Sequence, residues 1–76
     1  MTNLSFLQQH YPALYRFVME EEGRIELGLS DHADSFAGAY DLSGTVYQGS
    51  ANYASLEDAL MDLNAGIQAW FEKLGI

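Results

Sequence analysis

The sequence predicts a small α+β domain of order α-β-β-β-α, with a three-stranded antiparallel sheet and two helices packed on one face. Apolar residues recur with a period near 3.6 at both ends of the chain and with a period of 2 in its middle. The connections in the middle are short, which demands antiparallel neighbours. A chain of 76 residues makes one domain, 1–76, with a single thin core. Two helices over one sheet face is the economical way to bury both helical stripes.

Residues 3–21 read as helix, because Leu7, Tyr11, Leu14 and Val18 recur at spacings of four, three and four, with Leu4 one turn earlier. Pro12 removes an amide donor and crowds the preceding turn. A kink or a break is therefore expected near His10 and Tyr11, with Pro12 placed to open a second helical segment. Glu20, Glu21 and Glu22 then fall at the helix C-terminus, where the dipole disfavours negative charge, and Gly23 ends the helix.

In residues 24–30, Ile25, Leu27 and Leu29 alternate with Arg24, Glu26 and Gly28, as in a half-buried strand. Asp31-His32-Ala33-Asp34 is the expected turn. Residues 35–41 form the second strand, with Phe36, Gly38 and Tyr40 on one face and Ala37 and Ala39 on the other. Leu42-Ser43-Gly44 turns the chain into a third strand, 45–49. In the last segment Leu56, Leu60, Leu63, Ile67, Trp70 and Leu74 make one continuous helix face. Ser55 and Asp58 form a capping box, Glu57, Asp58 and Asp62 complement the positive end of the dipole, and Gly75 is a natural stop.

Composition narrows the function. Eleven acidic residues against three basic ones give a net charge of −8, in a chain without cysteine. Solubility alone is served by roughly 2–8 units of charge. Such a field repels nucleic acid and anionic lipid and attracts basic protein surfaces. Without cysteine there is no disulfide and no thiolate metal site, so packing must supply the stability. No stretch approaches the length of a membrane span, and no signal-peptide pattern opens the chain, so a cytoplasmic protein is expected.

No reaction is encoded in a motif. There is no Gly-x-Ser-x-Gly elbow and no Gly-rich phosphate loop. Asp31, His32 and Asp34 offer three ligand-type side chains, but a four-residue turn rarely closes a metal site alone, and no second cluster completes it. The expectation is no enzyme, no metal and no cofactor. Tyr40, Tyr47 and Tyr53 divide between core and interface, Tyr53 being placed for exposure in the loop before the last helix. Trp70 and Phe71 read as core; Phe17 and Phe71 lie beside their stripes, where a dimer contact is the other reading.

Two families are similar in pattern. The order α-β-β-β-α, and the stretch from Gly44 to Gly49 leading into a long helix, resemble the double-stranded-RNA-binding fold. Members of that family grip phosphates with lysines at the start of the last helix. Here the matching Ser55-Leu56-Glu57-Asp58-Ala59 contains none, and its carboxylates oppose phosphate binding. Residues 24–72 resemble the N-terminal domain of HicB-type antitoxins. Phe36-Ala37-Gly38-Ala39-Tyr40-Asp41-Leu42-Ser43-Gly44 and Ser55-Leu56-Glu57-Asp58-Ala59-Leu60 carry that resemblance, followed by Ile67 and Trp70. It implies binding and neutralising a small basic RNA-cleaving toxin. The turn lacks that family's proline, and an extra helix precedes the sheet.

The expected function is a non-catalytic acidic protein that docks on and inhibits or neutralises a basic nucleic-acid-handling protein by imitating nucleic acid. Antitoxins and phage-encoded inhibitors of host defence nucleases, anti-CRISPR proteins among them, work in this way. The expected partner-binding residues are Glu20, Glu21, Glu22, Glu26, Asp31, Asp34, Asp41, Tyr53, Glu57 and Asp58. The partner is a nuclease, a toxin or another nucleic-acid-binding protein, with no direct contact to nucleic acid or membrane. The alternative is a structural or adaptor module, a homodimer or one subunit of a larger assembly, whose charge serves solubility only.

Overall fold

A computed structural model describes residues 4–28 and 36–75. The elements follow as α1 (Leu4–His10), α2 (Pro12–Glu20), β1 (Arg24–Leu27), β2 (Ala37–Asp41), β3 (Gly44–Gln48) and α3 (Leu56–Leu74). The sheet is antiparallel in the order β1-β2-β3, so the expected α+β meander is present.

Pro12 breaks the first helix rather than bending it. The Tyr11 N–H still reaches the Leu7 carbonyl at 2.8 Å, but Tyr11 leaves the helical region at φ −135°, and Pro12 opens α2 as its first residue. Tyr11 offers no side-chain cap. The free amide of Leu14 instead donates to Asn64 Oδ1 of α3 at 3.0 Å, a cap supplied from 50 residues away.

The break also resets the rotation of the helix, which corrects the expected stripe. Val18 is 39% exposed, while Phe17 is fully buried with Tyr11, Ala13 and Leu14. In α3 the buried ladder is Ala59, Leu63, Ile67 and Phe71, and Leu60 and Trp70 flank it. Leu56 and Leu74 of the predicted stripe are exposed. Phe17 stands edge-on to Trp70, with ring centroids 5.7 Å apart. Phe17 and Phe71 are therefore core side chains of one chain, and neither is available for a dimer contact.

Close approach explains why small residues define the packed faces. Ala37 and Ala39 are buried in the core, and Ile25 lies opposite Ala39 in the register. The Tyr47 ring lies on Gly66, where a Cβ would sit 2.4 Å from a ring carbon. The β2–β3 register shifts between Ala39 and Tyr40, leaving Val46 as the extra residue of a bulge. Val46 and Tyr47 both pack against the core. Tyr40 takes the opposite face, over Gly38 and beneath the Arg24 guanidinium, 5.2 Å from its ring centroid.

β1 ends at Leu27, earlier than the strand expected over 24–30, and Gly28 takes φ 122°. The expected turn of Asp31, His32 and Asp34 lies outside the described residues. Ser55 caps α3 by accepting from the Asp58 N–H at 3.1 Å, and Gly75 closes it at φ 77°. Among the described residues, no helix is long and apolar enough to cross a membrane.

Candidate docking surface

The register divides the expected acidic residues between two ends of the sheet. Arg24 pairs with Tyr40, so Glu20, Glu21 and Glu22, just before β1, lie at the same end as the β2–β3 turn carrying Asp41. The other end is marked by the Gly49 N–H, which donates to the Ala37 carbonyl at 2.8 Å. There Tyr53 and Asp62 of α3 approach Gly49, and Glu57 and Asp58 lie about one turn earlier on the same helix. Asp31 and Asp34 are outside the described residues.

At the first end, α2 closes with a hydrogen bond from the Gly23 N–H to the Phe17 carbonyl, 2.9 Å long. The left-handed residue of this closure is Glu22, at φ 57°, and not Gly23. A glycine is favoured at that position. Gly23 is held for another reason, since a Cβ there would sit 2.3 Å from a Phe17 ring carbon. Glu21 pairs with Arg16 at 3.7 Å, and Glu26 pairs with Arg24 at 3.1 Å. Exposed pairs of this kind contribute little to stability. Glu20 and Glu22 are exposed, and no ion pair joins them to the described residues.

Asp41 serves the hairpin. Its Oδ1 accepts from the Ser43 hydroxyl at 2.6 Å and from the Ser43 N–H at 2.8 Å. The hydroxyl bond first, and the amide bond after it, hold its carboxyl below the usual 3.8. Those bonds favour the charged form, so Asp41 carries its charge into acid.

The second end is built around Asp62. Tyr47 donates to its Oδ1 at 2.6 Å, and Tyr53 donates to its Oδ2 at 2.5 Å. The Tyr53 oxygen also accepts from the Ser50 N–H at 2.8 Å. This clamp fixes the loop between β3 and α3. The bond to Asp62, aided by burial, pushes the Tyr47 phenol up to about 12. Burial, then the bond to Asp62, raises Tyr53 as well. Tyr53 was expected to be an exposed contact; it is half-buried, with its hydroxyl engaged inside the chain.

The ring of Tyr53 lines a cleft of about 400 Å³ with Phe36, Ala51, Asn52, Ser55 and Leu56. Phe36 meets Tyr53 edge-on at 6.1 Å. Leu56 is 57% exposed, and Glu57 and Asp58 follow it, both exposed. No protein-family model, curated protein or solved structure matches this chain. Neither family resemblance gains support there.

Phe36 and Leu56 were not among the expected contact residues. Leu56 fits the spacing of the apolar stripe of α3, but as the first residue after the Ser55 cap it stands exposed at the helix end. Among the described residues, no group of three or more His, Asp or Glu side chains is placed to hold a metal ion.

Proposed function

We propose that this chain is an acidic, non-catalytic binding protein that docks on and inhibits a basic nucleic-acid-handling protein. The observation that carries the reading is the set of exposed carboxylates on Glu20, Glu22, Glu57 and Asp58, which no ion pair joins to the described residues. The arginines are engaged within the chain, on Glu21 and Glu26 and over the rings of Phe71 and Tyr40. Carboxylates left without cations project a field that a basic surface would neutralise.

The test is titration of purified basic ribonucleases and deoxyribonucleases with the protein. The expected result is stoichiometric inhibition of at least one, with affinity falling steeply as salt rises. Binding independent of salt, or no binding to any basic protein, would overturn the proposal. A tight apolar dimer in sedimentation, unaffected by salt, would favour the adaptor reading instead. That reading has lost the Phe17 and Phe71 contact, since both rings are buried within the chain.

A further inference from the structure

The geometry points to the cleft between Phe36, Tyr53 and Leu56 as the slot for one large apolar side chain of the partner, presented between lysines or arginines. The inference rests on the docking function proposed above and supplies the recognition chemistry at one end of the sheet.

Helix stability alone accounts for acids in the first turn of α3, because Glu57 and Asp58 complement the dipole. It does not account for Leu56, whose side chain the core leaves largely exposed. Leu56 instead lines the apolar cleft together with Phe36 and Tyr53, whose rings meet edge-on. The wall made by Tyr53 is preorganised, since its hydroxyl is held by Asp62 and by the Ser50 amide. A wall fixed before binding spares the cost of ordering a loop on association.

Charge selects the occupant. The described lining carries no cation, and two exposed carboxylates follow Leu56 on the helix. Lys73, the lone cation of α3, is in its last turn. A second copy of the chain would bring another −8 to this lip, and an anion would be repelled by it. A basic segment with a single apolar anchor matches both the walls and the lip. This is the usual division of an interface into a buried apolar centre and a polar rim.

The test uses the full chain, isotope-labelled for NMR, and capped five-residue peptides with one central residue between two pairs of lysines. With leucine at the centre, the amides of Ala51, Asn52, Tyr53 and Leu56 should shift on titration. With alanine at the centre, affinity should fall about tenfold. Leu56→Ser should abolish the advantage of leucine while leaving Trp70 fluorescence unchanged. Equal binding of the two peptides would overturn the slot and leave the acidic docking function standing. No binding of either at low salt would overturn both. Equal binding of a leucine peptide flanked by glutamates would overturn the charge selection. Shifts at the same amides on concentrating the protein alone would assign the cleft to a second copy.

Discussion

Replacing Glu22 by glycine should make the protein more stable. Glu22 takes φ 57° at the end of α2, a conformation that costs a residue with a side chain roughly 1–2 kcal/mol. Glycine escapes that cost but gives the unfolded chain roughly 0.5–1 kcal/mol of extra backbone freedom. The mid-range values leave a net backbone gain of about 0.7 kcal/mol. Loss of a negative charge beside a helix C-terminus adds roughly 0.3–1 kcal/mol at low salt. Glu22→Gln separates the two effects, because it removes the charge and keeps the strain. Urea unfolding followed by the fluorescence of Trp70, which packs against Phe17, reads both variants. Glycine should exceed glutamine by the backbone gain, which a thermal melt would show as about 3–6 °C in midpoint temperature. Equal stabilities would refute the reasoning, since no strain would then reside at Glu22. The comparison also bears on function. A strained residue in an acidic run is the kind retained where its side chain is used, and Glu22→Gly should then weaken binding of the basic partner while strengthening the fold.

Asp62→Asn should let the Tyr47 phenol fall from about 12 toward its ordinary 10.0, as read by tyrosinate absorbance during alkaline titration. Because the folded value lies above the unfolded one, the stability linked to Tyr47 is fully present below about pH 10 and lost as pH rises toward about 12. The variant should lose that alkaline dependence. Gly66→Ala drives a methyl group into the Tyr47 ring and should cost roughly 1–3 kcal/mol in urea unfolding. Asn64→Ala leaves the Leu14 amide at the start of α2 without its cap and should cost roughly 0.5–2 kcal/mol by the same assay. Ser43→Ala removes the first support of the Asp41 carboxylate and should raise its titration midpoint toward 3.8, measured by side-chain NMR.

The element order and its punctuation were legible in the sequence because they depend on neighbours a few residues apart. Pro12 opens a new helix, Ser55 caps α3 through Asp58, and Gly75 ends it in the left-handed region. The rotation of the helices was not legible. Hydrophobic periodicity gives alanine little weight, yet Ala37, Ala39 and Ala59 are buried where layers approach closely, and Phe71 follows the Ala59 ladder into the core. The break at Tyr11 shifted the phase of α2 by enough to exchange Val18 for Phe17. At the candidate site, the positions of the charges could be read but their pairing could not. Asp62 reads locally as a dipole partner; its two phenols come from Tyr47 and Tyr53, on other segments. The Asn64 cap spans 50 residues, and no local pattern announces it.

The shortage of cations ties the fold to the proposed docking. With three basic residues for eleven acidic ones, several of the carboxylates that the fold positions are held by neutral donors. Asp41 is held by Ser43, Asp62 by Tyr47 and Tyr53, and Glu72 by Gln68. A hydroxyl or amide donor orients a carboxylate but brings no compensating charge. An arginine in the same place would have brought a compensating charge. The domain thus obtains internal order from hydrogen bonds to neutral donors, which add no positive charge. The arginines are held against Phe71 and Tyr40, where they shield little beyond Glu21 and Glu26. A fold assembled in this way retains the self-repulsion of its exposed acids, and a basic surface that neutralises them would relieve it on binding.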